Sequence, residues 1–469
     1  MKYNRYPDIL KRYPSTGSPD RREEISSELH KKRVKLVIID DDPTGIQTVH
    51  GCPLLTKWER PLIEEILKGK SDFFYILSNS RSLDRDSAVK INREIIRAVV
   101  EANKELSYKL IFISRSDSTL RGHFPHETNA ITEELKHNGI DIELPVCFVP
   151  AFIEAGRITV ENIHYMRNGE ELIPVARSEF AKDYVFGYHH SDLKEYIVEK
   201  SDEKVHRRDI GSLSLDALRS LSDSELQDKL KTLSSFRYII INALEYIDLY
   251  RFSLALVSLL QTGDSSVVIR SSSSLPKSLS GISDRDLLSR EDLGTEKKNG
   301  LFFIGSHVQK TTWQLNDLLR NEGTVGIEAE VLKILKEERT YLREITERIT
   351  EIYSVGKTPV VYTSRKEYRP GSKNKSLDVS RKISAFISSL VLELPVYPDY
   401  IVAKGGITSH DILIKGLGVT ATTVWGQILP GVPVLLIKND KTGYSLPYII
   451  FPGNVGGDQS LSEIYRKLQ

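Results

Sequence analysis

The stretch VKLVIIDDDPTG at residues 34–45 joins a continuous apolar run to three successive carboxylates. The run at 36–39 is unbroken and rich in β-branched residues, which is typical of a strand buried on both faces of a parallel sheet. Asp40, Asp41 and Asp42 follow it directly. Because open parallel sheets bind ligands beyond the carboxyl ends of their strands, this stretch predicts a functional site at a sheet edge.

The same pattern recurs along the chain: a short apolar run, a polar or glycine-rich cluster, then a segment with helical periodicity, as after Asp86. It predicts an α/β fold with two domains, each built on a largely parallel sheet flanked by helices, and a cleft between them. The predicted strands are 36–39, 73–77, 110–113, 146–149, 238–241, 267–269, 301–304, 360–362, 400–403, 434–437 and 448–451.

Composition changes set the domain boundaries. Residues 1–33 carry basic pairs and few apolar positions, which predicts an extension that is partly helical or lies on the surface. We expect the first domain at 34–270 and the second at 301–469. Residues 271–300 begin with four serines and become charged, which is typical of an interdomain linker.

Charge and hydropathy exclude several classes of protein. Lys and Arg total 65 and Asp and Glu total 64, so the net charge of +1 supplies no overall field for binding nucleic acid. The two cysteines, Cys52 and Cys147, show no metal-binding spacing. No apolar run is long enough to span a bilayer and no signal core is present, so we expect a cytoplasmic protein without membrane contact.

The three aspartates after the first strand are candidate catalytic residues. Three adjacent carboxylates repel one another, and folding of a turn does not require them. They suggest a general base, a magnesium ligand, or both. Capping of a helix N-terminus is the alternative, and it explains one or two of them but not all three.

Basic side chains follow the next two strands. Arg81, Arg115 and Arg121 are suited to clamp a carboxylate or phosphate through paired hydrogen bonds. Alternatively, one or more of them forms a structural ion pair with the aspartates. His123 is placed either to orient a substrate hydroxyl or to cap the helix that follows.

The C-terminal half places small residues at its strand ends, notably Gly305-Ser306, Gly405 to Ser409 and Gly453 to Gly457. Small residues let backbone N–H groups approach phosphate closely, and a helix opening at Thr408 or Ser409 would direct its positive end there. This pattern predicts a nucleotide site. Neither a Walker A motif nor a Rossmann fingerprint is present, so simple turn chemistry is the alternative for each cluster taken alone.

Together these residues resemble the four-carbon acid sugar kinase family from about residue 35 onward. The resemblance is carried by Asp41-Asp42-Pro43-Thr44-Gly45, Ser80-Arg81, Asp117-Ser118-Thr119-Leu120-Arg121-Gly122, Val149-Pro150-Ala151-Phe152, Gly187-Tyr188, Gly305-Ser306, Gly405-Gly406-Ile407-Thr408-Ser409 and Gly431-Val432-Pro433. It implies an N-terminal domain that binds an acid sugar and a C-terminal domain that binds ATP. The implied reaction transfers the γ-phosphate to a hydroxyl of a threonate- or tetronate-like substrate, with Mg²⁺ as cofactor.

The strand-end residues and the resemblance together assign roles to individual residues. Asp41 or Asp42 is the expected base or metal-linked acid, while the metal ligands themselves are not identified. The expected substrate-binding residues are Asp41, Arg81, Arg115, Ser116, Asp117, Ser118, Arg121 and His123. The expected ATP-binding residues are Ser306, Gly405, Gly406, Thr408, Ser409, Gly453, Asn454, Val455 and Gly456.

Two other functions fit part of the sequence. Residues 36–44 also match an aliphatic strand followed by D-x-D-x-T, as in haloacid-dehalogenase-like phosphatases, with Asp40 as nucleophile and Asp42 as acid and base. A metabolite-binding protein without catalysis is the second alternative. The expected partner in each case is a small molecule, and a homodimer is one possible assembly.

Overall fold

The computed structural model describes residues 3–14, 20–260, 265–294, 299–365, 373–438 and 445–469. The chain forms two compact units. The N-terminal unit comprises Met1–Val49 and Lys57–Asp284, and the C-terminal unit comprises His50–Thr56 and Arg285–Gln469.

Strands and helices alternate through the first part of the chain. Its strands are β1 (Val34–Asp40), β2 (Cys52–Leu55), β3 (Phe73–Leu77), β4 (Lys109–Arg115), β5 (Asp141–Ile142), β6 (Val146–Val149), β7 (Arg157–Val160), β8 (Ile163–Asn168), β9 (Glu171–Pro174), β10 (Ile210–Leu213), β11 (Tyr238–Ile241) and β12 (Ser265–Ser271). Its helices are α1 (Tyr6–Arg12), α2 (Arg22–Lys31), α3 (Arg60–Lys68), α4 (Arg85–Asn103), α5 (His126–His137), α6 (Leu193–Lys200), α7 (Leu215–Ser220), α8 (Asp223–Thr232), α9 (Tyr246–Leu259) and α10 (Ser274–Ser280).

The N-terminal unit is built on a parallel sheet with the order β10-β11-β6-β12-β4-β1-β3. Every residue of β1, β3 and β4 is buried, as continuous apolar runs predict for strands covered on both faces. All six strands predicted for this half lie within strands of the sheet. A separate antiparallel sheet, β7-β8-β9, and the strand β10 were not predicted.

The first helices differ from the expectation of a surface extension. Ile9 and Tyr13, on and just after α1, belong to a buried cluster that also contains Ile158 and Tyr165. On α2, Ile25 and Leu29 are fully buried. The helices were anticipated, but their apolar faces pack into the N-terminal unit, and few apolar positions sufficed for this because they are spaced one helical turn apart.

The expected linker at 271–300 is also different in the structure. Helix α10 follows β12 after only two residues, and its Leu275 and Leu279 are fully buried. Three of the four serine hydroxyls form hydrogen bonds within the protein; Ser274 Oγ, for example, accepts from the Ile153 N–H at 2.9 Å. Residues up to 284 therefore belong to the N-terminal unit and residues from 285 onward to the C-terminal unit.

The remaining elements form the C-terminal unit. Its further strands are β13 (Gly300–Ile304), β14 (Thr324–Ala329), β15 (Thr358–Thr363), β16 (Tyr400–Lys404), β17 (Ala421–Leu429), β18 (Val432–Lys438) and β19 (Ser445–Phe451). Its helices are α11 (Arg290–Leu293), α12 (Gln309–Leu318), α13 (Val331–Ser354), α14 (Lys373–Leu392), α15 (Gly406–Asp411) and α16 (Ser460–Leu468), and a π-helical turn covers Ile412–Gly416.

The C-terminal sheet is mixed, with the order β2-β17-β18-β19-β16-β13-β15-β14. Neighbouring strands from β19 to β14 run parallel, whereas β2, β17, β18 and β19 pair antiparallel. The five strands predicted for this half are present, and β14 and β17 are additional. The whole chain is thus α/β, with mostly parallel sheets flanked by helices, as predicted. None of the helices in the described ranges combines the length and apolar character needed to cross a membrane.

Candidate functional site

Loops that follow adjacent parallel strands meet at one edge of the N-terminal sheet. Asp40 at the end of β1 pairs in register with Leu77 of β3 and Arg115 of β4, and Arg115 in turn pairs with Ser271 of β12. The structure therefore brings together the carboxylates and guanidinium groups that the sequence placed at strand ends.

Asp40 and Arg115 form a buried ion pair. Arg115 Nη1 lies 3.3 Å from Asp40 Oδ1, and Arg115 Nη2 donates to Ser273 Oγ at 2.5 Å. A Cβ built on Gly45 would lie 2.0 Å from Asp40 Oδ2, so the chain packs directly against this carboxylate. Burial raises the pKa of Asp40 to about 7, although Arg115 opposes the shift.

This geometry bears on two expectations. Arg115 was expected to clamp substrate, but its guanidinium is bound to Asp40, the structural alternative stated above. The phosphatase alternative needs Asp40 as a nucleophile with open space before it. Because Gly45 fills that space and Asp40 is fully buried, the geometry argues against this role.

Arg81 is the centre of the acidic cluster. Its Nη2 forms an ion pair with Asp42 and lies 3.4 Å from Asp41 Oδ1, and its Nη1 lies 3.8 Å from Asp117 Oδ1. One guanidinium thus neutralises carboxylates from two loops, and those carboxylates raise its pKa despite its burial. Arg81 is expected to bind substrate, and its guanidinium forms ion pairs with Asp41, Asp42 and Asp117.

Asp41 and Asp42 differ in their proton affinity. Burial raises the pKa of Asp41 to about 7, with Arg81 opposing the rise and Glu127 adding to it. Burial acts on Asp42 in the same direction, but Arg81 and hydrogen bonds from Thr44 outweigh it and hold its pKa below the usual value. Asp41 is therefore the carboxyl suited to exchange a proton near neutral pH.

The Asp41 carboxylate lies within ion-pair distance of Arg81 but accepts no hydrogen bond from it. Within the part of the chain that the structure describes, both of its oxygens are buried without a hydrogen-bond donor. Gly122, at a φ of +133°, lies beside it, and a Cβ there would be 3.3 Å from Asp41 Oδ2. Only glycine suits this backbone, and its lack of a side chain lets the loop lie this close to the carboxylate.

Asp117 is held by two arginines. Arg121 Nε donates to Asp117 Oδ2 at 2.8 Å, and together with Arg81 it lowers the pKa of Asp117 against the effect of burial. Arg121 also lies 3.8 Å from Asp183 and stacks over Phe180. Its side chain remains partly exposed, so it is better placed than Arg115 to meet an anion.

Three other predicted substrate residues have different positions. Ser116 is buried and donates its N–H to the Ser271 carbonyl at 2.9 Å, while Ser118 is buried in the next turn. His123 Nε2 lies 3.1 Å from the Leu83 carbonyl, and burial lowers the pKa of His123. His123 and Gly122 border a cavity of about 460 Å³. The structure therefore places His123 at a cavity wall and bonds it to backbone.

Several buried side chains near the cluster were not predicted. Glu127 accepts a hydrogen bond from Ser80 Oγ at 2.5 Å, and its pKa is raised by burial. Arg270, at the end of β12, donates to the Asp117 carbonyl at 2.8 Å. Neither carried a sequence signal, because Glu127 lies within an ordinary helix and Arg270 within an apolar strand.

A metal site is not supported by these carboxylates. In the described residues, no group of three or more His, Cys, Asp and Glu side chains converges as metal ligands do. Arginines, not open space, face Asp40, Asp42 and Asp117. In the described residues, the acidic cluster therefore lacks the set of carboxylates that would form a metal site from protein ligands alone.

A second set of strand-end loops meets in the C-terminal unit. Lys404 at the end of β16 pairs in register with Ile304 of β13 and Phe451 of β19. The loops after these strands touch closely: a Cβ on Gly305 would lie 1.9 Å from Thr408 Oγ1, and one on Gly453 would lie 2.9 Å from Ser306 Oγ. Glycine is thus required where these loops approach each other.

Unpaired cations lie among these glycine loops. Lys404 is fully buried and donates to the carbonyls of Pro452 and Gly453 at 3.0 and 3.4 Å. Burial and then neighbouring Lys310 lower the pKa of Lys404 to about 7. In the described ranges, neither these lysines nor Arg365 forms a salt bridge with a carboxylate. Cations beside glycine loops, left without protein anions, favour a bound phosphate.

The other predicted nucleotide-binding residues divide into two groups. Ser409 is buried, and its single hydroxyl proton is shared between the carbonyls of Ala403 and Gly405, each 2.8 Å away, so it supports the loop from within. Val455 is half-buried against the core. Ser306, Gly406, Thr408, Asn454 and Gly456 are half-buried or exposed and remain accessible. Lys404, Lys310 and Arg365 were missed, although the cation directly before Gly405-Gly406 was a usable signal.

The comparisons with known proteins agree with this division of sites. The family model of a sugar-binding N-terminal domain matches residues 36–279, and that of a nucleotide-binding C-terminal domain matches residues 301–461. The fold and both sites thus define a two-domain α/β protein with one sugar-binding and one nucleotide-binding domain. The chain belongs to the four-carbon acid sugar kinase family.

Solved structures support the fold. A Salmonella typhimurium LT2 protein provisionally named a tRNA synthase is 18% identical, with a TM-score of 0.67 over 93% of this chain and 100% of that one. A Haemophilus influenzae protein from a family of unknown function is 18% identical, with a TM-score of 0.64 over 92% and 100%. No curated protein matches the chain.

A third structure, from Bordetella bronchiseptica, is a domain-swapped dimer with bound citrate. It is 17% identical and covers 92% of this chain and 98% of that one, with a TM-score of 0.39. At that score the likeness carries no argument about this chain, and the homodimer stays a prediction.

Proposed function

We propose that the protein is an ATP-dependent kinase that transfers the γ-phosphate to a hydroxyl of a four-carbon acid sugar of the threonate or tetronate type. The observation that carries this proposal is Asp41, a buried carboxylate without a hydrogen-bond donor in the described residues, beside a glycine in a sugar-binding domain. The nucleotide-binding domain supports ATP as the phosphate donor.

Asp41 is proposed as the general base. Its pKa of about 7 matches a base that must be ionised at neutral pH yet able to accept a proton from the acceptor hydroxyl. Asp42 is a weaker candidate because its ion pair with Arg81 stabilises the ionised form. Arg81 then keeps Asp41 partly ionised, and the partly exposed Arg121 is proposed to attract the substrate carboxylate.

The C-terminal loops are proposed to hold the ATP phosphates. Backbone N–H groups around Gly405 and Gly453, with Lys404, Lys310 and Arg365, supply positive charge without a competing carboxylate in the described ranges. Mg²⁺ is proposed as the counterion of the ATP phosphates. Transfer requires the acceptor hydroxyl and the terminal phosphate to be brought together, and this approach is part of the proposal.

A coupled ADP-release assay tests the proposal with ATP, Mg²⁺ and a panel of four-carbon aldonic and oxo-aldonic acids. We expect ADP release that depends on one of these acids. Asp41→Asn should lower kcat by about 10²–10⁴-fold while leaving the ATP Kd unchanged, because the base contacts only the acceptor. In the unaltered protein, kcat/KM should rise as the pH rises through about 7, since the base acts when deprotonated.

The same assay separates the alternatives. Asp42→Asn is the matched control, because it removes the neighbouring carboxylate of the same loop, and its effect on kcat should be smaller. Full activity in Asp41→Asn would refute the assignment of the base. An acid that raises the melting temperature without any ADP release would favour a metabolite-binding protein without catalysis.

A further inference from the structure

Four successive backbone carbonyls in the loop after β4 are each bound by a buried side chain. The carbonyl of Asp117 accepts from Arg270 Nη2 at 2.8 Å, that of Ser118 from His164 Nε2 at 2.8 Å, that of Thr119 from Tyr188 Oη at 2.7 Å, and that of Leu120 from Tyr196 Oη at 2.7 Å. We call Arg270, His164, Tyr188 and Tyr196 the carbonyl clamp. No motif used in the sequence analysis assigns them a joint role.

The carbonyl clamp is buried and is drawn from several parts of the N-terminal unit. Its four side chains are buried, and they come from separate elements, namely β12, β8, the segment before α6, and α6. Burial lowers the pKa of His164 to about 4, so its ring is neutral at physiological pH. Because the Ser118 carbonyl can only accept, the proton of the neutral ring sits on Nε2 and is donated to it, and Nδ1 accepts from Thr159 Oγ1 at 2.9 Å.

Fixing a carbonyl also fixes the next N–H. In a trans peptide unit the carbonyl of one residue and the N–H of the following residue point in opposite directions. The clamped carbonyls of Asp117, Ser118 and Leu120 therefore turn the N–H groups of Ser118, Thr119 and Arg121 away from the clamp. Among the described residues, none of these three N–H groups has a hydrogen-bond acceptor.

Unpaired N–H groups in a buried loop are unusual in native proteins. Ser118 and Thr119 are buried, and buried backbone N–H groups in native proteins are almost always paired with protein, water or ligand. Successive N–H groups turned to one side form a concave site for an anion. This loop also carries Arg121, and the proposed substrate of this domain carries one carboxylate.

We propose that the carbonyl clamp is a set of positioning residues that presents the N–H groups of Ser118, Thr119 and Arg121 to the carboxylate of the acid sugar. The proposal rests on the proposed function for the identity of the anion. It adds that carboxylate recognition uses backbone donors held by side chains that do not touch the substrate.

The double variant Tyr188→Phe/Tyr196→Phe tests the clamp, because it removes two hydroxyls and leaves the aromatic packing. The matched control is Tyr238→Phe, which removes a buried hydroxyl from the aromatic cluster that Tyr196 shares through Phe124. Two measurements are made on the full chain: calorimetric titration with threonate and with ATP, and amide hydrogen exchange of the peptide covering 117–122 without ligand.

We expect the double variant to weaken threonate binding about 5- to 30-fold, as the loss of two hydrogen bonds implies. Its ATP affinity and the pH dependence of kcat/KM should not change, because Lys404 and Asp41 are untouched. Loop amides should exchange about tenfold faster or more, since the loop loses two of its anchors. Tyr238→Phe should match the unaltered protein in both measurements.

Each other outcome decides a separate question. Unchanged exchange of the 117–122 amides in the double variant would overturn the clamp, as would unchanged threonate affinity where the unaltered protein binds threonate. An equal loss of ATP affinity would also overturn it by showing a general structural defect. If the unaltered protein does not bind threonate but the double variant exchanges faster, the clamp stands and the proposed substrate falls.

Discussion

Replacing Arg115 by methionine should destabilise the N-terminal unit in a strongly pH-dependent way. The substitution removes the only cation within salt-bridge distance of Asp40 in the described residues and leaves that carboxylate buried. Removing one partner of a buried ion pair costs about 3–5 kcal/mol. We expect a loss of that size in the free energy of unfolding at about pH 9, where Arg115 stabilises the ionised Asp40 of the unaltered protein and the variant folds with Asp40 protonated.

The sign of the pH dependence follows from the pKa of Asp40, which is raised to about 7. A raised carboxyl pKa stabilises the fold below its unfolded pKa, and this contribution is lost as the pH rises through about 7. Below about pH 7, Asp40 is protonated with or without Arg115, so the variant loses less. Each pH unit above 7 adds about 1.4 kcal/mol, so the loss at about pH 6 should be smaller by about 2.7 kcal/mol.

Urea unfolding of the N-terminal unit at about pH 6 and about pH 9 measures both losses. Arg93→Met is the matched control, because it breaks the exposed pair with Glu133 and should cost about 0–1 kcal/mol at both pH values. A loss that is the same at both pH values would refute the reasoning. So would normal stability combined with weak threonate binding, which would make Arg115 a substrate clamp.

Three further substitutions test other parts of the account. Lys404→Met should raise the ATP Kd about 10- to 100-fold and leave threonate binding unchanged in calorimetry. In the unaltered protein, ATP affinity should fall as the pH rises through about 7, because Lys404 then loses its charge. An ATP affinity that does not change with pH would contradict this role of Lys404. Gly45→Ala should destabilise the N-terminal unit by about 1–3 kcal/mol in thermal unfolding, since its Cβ would lie 2.0 Å from the Asp40 carboxylate; wild-type stability would show that the loop has room to move. Ser409→Ala should cost about 1 kcal/mol in the C-terminal unit by removing the hydroxyl proton shared between the carbonyls of Ala403 and Gly405. A loss of ATP affinity without a loss of stability would instead make Ser409 a direct ligand.

The fold was largely predictable because buried parallel strands are continuous apolar runs. The missed strands lack that signal: β10 reads Ile-Gly-Ser-Leu, and β17 alternates between buried and half-buried positions as an antiparallel strand does. The first domain was predicted to end at residue 270 because the serines at 271–274 are typical of a linker, and composition does not show that a serine is buried. Their partners, such as Ile153, lie more than a hundred residues away along the chain.

The sequence predicted which residues lie at the candidate site better than it predicted what each of them does there. Clustering at strand ends identified Asp41, Arg81 and Asp117, because register forces those ends together. Sequence could not tell which arginine faces a substrate, since Arg115 is held by Asp40 and Ser273 through tertiary packing alone. The unequal pKa values within the aspartate cluster likewise depend on burial and on distances that no local pattern encodes.

Phosphorus NMR of a reaction containing ATP, Mg²⁺ and threonate, run with the unaltered protein and with Asp41→Asn, tests the central claim most directly. The account predicts a phosphate monoester of the acid that accumulates with ADP in the first sample and forms about 10²–10⁴-fold more slowly in the second. Release of inorganic phosphate without any ester, or ester formation at equal rates in both samples, would contradict it.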